Sequence, residues 1–371
     1  GFKHIKEIEG ADRIANELAE YIWNRNGHSA EGLHYDIFSK NPEEAERDIL
    51  EYIDDGLTVG KSGMLPAYGF AILADGAANG DKNLPTYSNT MRDFWLYFGR
   101  AAGHGHLDSL NLGIEAFGLN MAPDNGTPAS KSINMVRYQW VESTIAHNTV
   151  TVGNTVQNVF GTSTLGQRAY YLGYPKHFDS SDGVVKLMDV ESDAYKDIAD
   201  IYRRTVVMIN VGSDVSYGID FFRVKGGGEH IFSFHSQSHE VETEGLKLDP
   251  QDETQGDYKL DDKGYVGSYA GADVPYMYDQ NRQTAIQKLK YPGTSWLKDV
   301  RRAAASRNEI AGDKFTVDFK VTDYNRFLKD SDGLHLRMTM LNDDYDEVAV
   351  ATGTKVDTPS AQKLKPFEYV L

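Results

Sequence analysis

Along the first sixty residues the apolar positions recur at helical spacing. Residues 11–25 place Ile14, Ala15, Leu18 and Ile22 on one helical face. Asn41-Pro42-Glu43-Glu44 opens a second helical stretch over 41–55 with a cap residue, a first-turn proline and early acids, and Gly56 offers a stop. Two helices bury too little to stand alone, so this segment should pack on something larger.

From about residue 64 the period changes to two. Phe94, Leu96 and Phe98 recur at every second position, as do Leu110, Leu112, Ile114 and Ala116. Phe315, Val317, Phe319 and Val321 repeat the pattern, followed by Leu334, Leu336, Met338 and Met340. Tyr202–Asn210 and Val215–Val224 also read as strands. Many such strands separated by Gly, Asn and Asp turns predict an antiparallel β-sandwich. The expected organisation is mainly β, with a helical segment over 1–60 and a sandwich over 61–371. Asp249-Pro250-Gln251-Asp252 reads as a surface turn.

Composition narrows the function. The chain has 371 residues, 40% of them hydrophobic, which suffices for a sizeable core. No apolar run reaches the roughly 20 residues of a membrane helix. A net charge of -17 argues against a general nucleic-acid binder, whose affinity rests on Lys and Arg meeting phosphates. The absence of cysteine excludes disulfides, thiolate zinc sites and thiol catalysis. The chain starts on Gly1-Phe2 and stops on Tyr369-Val370-Leu371, which reads as a processed or cut piece of something longer.

Chemistry concentrates at Gly103-His104-Gly105-His106-Leu107-Asp108, between two strand-like runs. The two imidazoles could share one metal, or one could bind metal while the other handles a proton. Met121-Ala122-Pro123-Asp124-Asn125-Gly126 adds a carboxylate, and Ile145-Ala146-His147-Asn148-Thr149-Val150 adds a third histidine. Two His and one Asp suit Zn²⁺ or a similar divalent ion. Each has a plainer reading: Asp124 as a turn residue, His147 as a strand-end histidine.

Other residues carry weaker signals. Arg100 could hold a substrate carboxylate, although a solvated arginine explains it as well. Tyr138, Trp140 and Trp95 could stack on sugars, with core packing favoured for Trp95. Alternation lets only one of Arg203 and Arg204 face a cleft. His230, His235 and His239, around Gly226-Gly227-Gly228-Glu229, read as strand-end surface histidines.

The run from Gly103 to Leu110, with Pro123-Asp124 and Ala146-His147-Asn148-Thr149-Val150 after it, resembles the heparinase II/III-like polysaccharide lyases. Tyr68-Gly69-Phe70-Ala71-Ile72-Leu73 and Leu33-His34-Tyr35-Asp36 through Asn41-Pro42 are also similar to that family. The resemblance covers about residues 30–240. It implies an α/α toroid followed by an antiparallel β-sandwich, in an exported bacterial protein that is secreted or periplasmic. It implies β-elimination on uronic-acid polysaccharides such as alginate, heparan sulfate or chondroitin-type chains. Residue by residue, it assigns His104 to catalysis and His106, Asp124 and His147 to a metal, with Zn²⁺ expected. Arg100 and Tyr138 are the substrate-binding candidates.

One departure stands out. Residues 1–60 cannot hold a toroid, so the family's catalytic Tyr and its Asn/His partner should come from elsewhere: an N-terminal toroid fragment or a second copy of the chain. Alginate is favoured slightly, because no Lys or Arg cluster for sulfate lies over 100–150; Lys131 and Arg137 are the basic residues that follow the pair. Two other readings stay open. One is a noncatalytic carbohydrate-binding sandwich with a structural metal. The other is a metal-dependent glycan hydrolase, for which Asp108 is the nearby candidate base.

Overall fold

The computed structural model describes residues 58–79, 88–99, 105–126, 136–157, 173–212, 214–251, 268–269, 293–310, 314–324, 328, 333–341, 345–356 and 364–371, with Leu18, Ala19, Trp23 and Ile49. Those four isolated residues are helical. The rest of the helical segment expected over 1–60 lies outside the described residues, apart from the strand at Thr58–Val59. The chain divides into two units. In the first, residues 1–59 and 76–90, Thr58–Val59, Ala77–Asn79 and Ser88–Asn89 form a three-stranded antiparallel sheet.

The second unit, residues 60–75 and 91–371, holds the alternating strands. Gly63–Leu65, Phe70–Asp75, Arg92–Tyr97, Asn111–Ala116 and Leu119–Ala122 pair in chain order as an antiparallel meander. Gly173–Asp179, Val185–Ser192, Ala199–Asn210 and Ser216–Gly226 make a second meander. Period-two patterning sends alternate side chains to one face. Leu73, Leu96, Phe98 and Leu112 of the first meander region therefore meet Met188, Val190, Tyr202, Val206 and Met208 of the second in one core. This is the expected sandwich.

A further pair of sheets repeats the arrangement. Phe234–His235, Leu364–Val370, Glu347–Val356, Lys298–Ala304 and Asp249–Pro250 form five strands in that order. Val241–Glu244, Phe315–Lys320 and His335–Met340 form three. Phe315, Val317 and Phe319 pack on Val348, Val350 and Val370. Asp249–Pro250 is thus a short strand paired with Arg301 and Arg302, and not the surface turn its composition predicts.

Two glycine positions are dictated by close approach. A Cβ on Gly113 would lie 1.8 Å from the Trp95 ring, which covers it from the neighbouring strand. Gly69, at φ +84, crosses Gly99 so closely that a Cβ would fall 2.2 Å from the Gly99 Cα. Trp95 stacks on Phe70 with ring centroids 6.0 Å apart. Trp140 is fully buried, and its indole N–H donates to the Thr354 carbonyl at 2.6 Å. It is a core residue, which removes it from the sugar-stacking candidates.

Candidate metal centre

Three segments of the second unit supply the centre. The loop between Arg92–Tyr97 and Asn111–Ala116 carries His106 and Asp108. Asp124 follows the Leu119–Ala122 strand. His147 ends a short 3-10 turn over Thr144–Ala146, ahead of the Val150–Val152 strand.

Their side chains converge. His106 Nδ1 stands 3.2 Å from Asp124 Oδ1 and 3.0 Å from His147 Nε2. His147 Nε2 stands 3.0 Å from the same Asp124 oxygen. Ligands bound at about 2.0–2.2 Å to a tetrahedral ion sit about 3.3–3.6 Å apart, so this triangle is close to the size one ion requires. The other nitrogen of His147, Nδ1, is 2.8 Å from the Ser143 carbonyl. A carbonyl only accepts, so Nδ1 carries the proton and Nε2 presents its lone pair to the centre.

Asp108 joins the cluster. The ligand atoms of His106, Asp108, Asp124 and His147 all lie within 4.8 Å of one another. Asp108 is 5% exposed, and among the described residues its buried Oδ1 has no hydrogen-bond partner. An orphaned buried carboxylate oxygen beside two imidazoles is what a cation site leaves behind when the protein is considered alone. His147 is fully buried, whereas the Asp124 side chain keeps 38% of its exposure, so the cluster meets solvent on the Asp124 side.

The electrostatics follow from the packing. Burial opposes charge on His106, but Asp124 and Asp108 outweigh it and push the imidazole up to about 9. Burial would likewise raise Asp124, yet the imidazoles of His106 and His147 hold its carboxyl well below the usual range. Burial dominates at Asp108 and pushes it up, with Asp124 adding repulsion. Tyr97, on the strand that enters the loop, has its phenol pushed up by burial and by Asp108, Tyr68 and Asp124.

The scaffold holding these groups is dense. Leu107 donates its N–H to the Glu142 carbonyl at 3.0 Å, and the Thr144 hydroxyl donates to the Leu107 carbonyl at 2.8 Å. Gln157 clamps Ser109, accepting from its N–H at 2.7 Å and donating to its carbonyl at 2.9 Å. Asn125, fully buried beside Asp124, donates to the Ala146 carbonyl and accepts from the Tyr369 hydroxyl at 3.2 Å. Leu110 adopts φ 66, a left-handed conformation costly for a branched side chain. Its carbonyl, and that of Asn148, are both held by the buried Arg204.

The other sequence candidates fall in different places. His104 and Arg100 lie outside the described residues. Tyr138 lies in a π-helical turn over Val136–Val141, and its side chain is outside them too. His235 is buried, contrary to the surface reading. Its Nε2 donates to the Pro123 carbonyl at 2.8 Å, its ring lies 4.6 Å from that of Tyr369, and burial pushes it down to about 3. Arg204 and Asp108 are the support and cluster residues that local sequence did not single out for these roles. Strand alternation at Arg203-Arg204 and the Gly-His-Gly-His-Leu-Asp run were the only signals for them.

Part of this chain has a counterpart among known families. Residues 96–272 match the family described as heparinase II/III-like, C-terminal. The matched segment covers just under half of the chain. Among solved structures it is similar to a heparan sulfate lyase from Pedobacter heparinus, at 11% identity and a TM-score of 0.42, covering 83% of this chain and 33% of that one. It is also similar to a heparinase III, at 13% identity and a TM-score of 0.37, covering 84% of this chain and 36% of that one. A second heparinase III gene product matches at 11% identity and a TM-score of 0.42, with 97% and 38% covered. The chain thus spans about a third of the length of these structures. No curated protein matches the sequence.

Proposed function

We propose that this chain is the metal-bearing sandwich of a polysaccharide lyase that cleaves uronic-acid polymers by β-elimination. The convergence of His106, Asp124 and His147 within 3.2 Å, inside the segment that matches the family, carries this reading. The reaction breaks the C5–H bond of a uronate and the C4–O bond to the leaving sugar, and forms a C4–C5 double bond. The C5 proton passes to a base, and the departing oxygen takes a proton from an acid. His104 is the proton-handling residue of this chain, two positions ahead of a metal ligand. His106, Asp124 and His147 would hold the metal, with Zn²⁺ the first candidate. When bound, the ion supplies a fixed positive charge that cross-links three loop segments.

The substrate proposed is a polyuronate, with alginate ahead of heparan or chondroitin chains. Arg137, one of the two basic residues between the histidine pair and residue 150, is neutralised by Glu142 at 2.7 Å, which supports a substrate without sulfate. The acidic polymer and the resemblance together favour a secreted or periplasmic setting. A toroid segment or a second copy of the chain would provide the catalytic tyrosine.

The test uses the full-length protein with alginate, heparan sulfate and chondroitin sulfate, following the ultraviolet absorbance of the unsaturated uronate. Alginate should give the strongest signal, and His104→Ala should abolish it while metal content stays intact. New reducing ends without that absorbance would make the protein a hydrolase. Sugar binding without either signal would make it a binding module.

A further inference from the structure

The metal reading accounts for three of the four side chains in the cluster and leaves Asp108 unexplained. We propose that Asp108 is a fourth ligand, closing the centre with two imidazoles and two carboxylates. This inference rests on the metal reading of the site and not on the elimination chemistry.

Three observations carry it. First, the Asp108 carboxyl is buried with an oxygen that no described residue satisfies. A buried carboxylate oxygen left alone costs more than almost any other polar defect, so it calls for a cation or a proton. Secondly, its ligand atom lies within 4.8 Å of those of His106, Asp124 and His147. Rotation about a single side-chain bond covers the difference between that spacing and a shared coordination sphere. Thirdly, the charges balance. Two neutral imidazoles and one carboxylate leave a divalent ion with an uncompensated positive charge in a largely buried site. A second carboxylate cancels it, whereas without the ion Asp108 and Asp124 repel each other.

The consequence concerns what the metal does. Catalytic sites of this type keep one position for water or substrate, whereas four protein ligands close the sphere. With Asp108 bound, the ion is a structural pin for the loop that carries His106 and Asp108, and it offers no position to a sugar oxygen.

The full chain, stripped and reloaded with Co²⁺, reports this directly, because the visible spectrum of Co²⁺ follows its coordination. Azide should leave the wild-type spectrum unchanged, since no position is open. In Asp108→Asn an open position appears, so azide should shift the spectrum. Co²⁺ affinity should fall by more than about 100-fold, beyond the roughly 10–100-fold expected of a residue that only orients a ligand. An azide shift in the wild-type protein would overturn the proposal. So would a loss of affinity within the orienting range, or none. The wild-type titration decides the matter even if Asp108→Asn fails to fold. Failure on polyuronates with an azide-silent Co²⁺ centre would sink the lyase reading and leave this one standing.

Discussion

Arg204 and Asp220 form a two-pronged ion pair, with Nε donating to Oδ1 at 2.9 Å and Nη2 donating to Oδ2 at 2.7 Å. The Arg204 side chain is fully buried, and its remaining nitrogen, Nη1, holds the carbonyls of Leu110 and Asn148. Those carbonyls follow Asp108 by two residues and His147 by one. The pair therefore fixes the spacing of two loops that carry the centre, from a strand that contributes no ligand.

Arg204→Met should cost about 1–3 kcal/mol of stability, because it takes a donor from the buried Leu110 carbonyl and leaves the Asn148 carbonyl with the Leu112 N–H alone. It should also lower bound metal per chain. Arg204→Lys keeps the charge but cannot fork, and should recover only part of both. Thermal melts and metal analysis check this; a variant with normal stability and a full metal complement would show the latch to be dispensable.

Metal binding should be proton-linked. With His106 pushed up to about 9, the metal-free ring carries a proton at neutral pH that an ion must displace. Apparent affinity for Zn²⁺ should therefore rise with pH and level off near that value. Calorimetry in buffers of different ionisation enthalpy should detect proton release at neutral pH. Flat affinity across this range would contradict it.

Asp93 gives a second pH effect of opposite usefulness. Burial, with Glu115 opposite on the adjacent strand, pushes its carboxyl up to about 7, and its Oδ1 has no partner among the described residues. Below the ordinary 3.8 both folded and unfolded chains hold the proton. Between there and about 7 the folded chain binds the extra proton. Stability thus falls as pH rises through this window and stays reduced above it. Asp93→Asn should raise the Tm by on the order of a few degrees near pH 8 and change little near pH 4. An equal shift at both pH values would mean that the charge is not the cause.

Gly113→Ala should destabilise the first meander severely, since the added Cβ would meet the Trp95 ring at 1.8 Å. Gly113→Ala combined with Trp95→Leu should recover part of the loss, measured by denaturant unfolding. No recovery would place the strain in the backbone.

Much of the sandwich was legible because period-two alternation is local: Phe94-Leu96 and Phe315-Val317-Phe319 announce their strands without knowledge of their partners. The convergence of His106, Asp124 and His147 was legible for a different reason, through a resemblance in order and content. Burial was not legible in the same way. His235 sits in a two-residue strand paired with Tyr369 and Val370, a contact between positions far apart in sequence. Nothing near residue 235 distinguishes it from a surface histidine. Trp140 and Asp249–Pro250 were misread likewise, because their partners, Thr354 and the Arg301–Arg302 segment, lie far along the chain. Arg204 sits between these cases: alternation allowed only one of the two arginines to face a cleft, but only the fold says that Arg204 is buried and what it holds.

The Tyr369 hydroxyl reaches Asn125 and the Ala146 carbonyl, and so braces the Asp124 and His147 segments from the Leu364–Val370 strand. That strand lies almost a hundred residues beyond the end of the family match at 272. A fragment trimmed to the matched segment would keep every candidate ligand and lose this brace, together with the Phe367 and Tyr369 rings on which His235 rests. For anyone dissecting the protein, the boundary of recognisable sequence and the boundary of a self-sufficient folding unit are different lines.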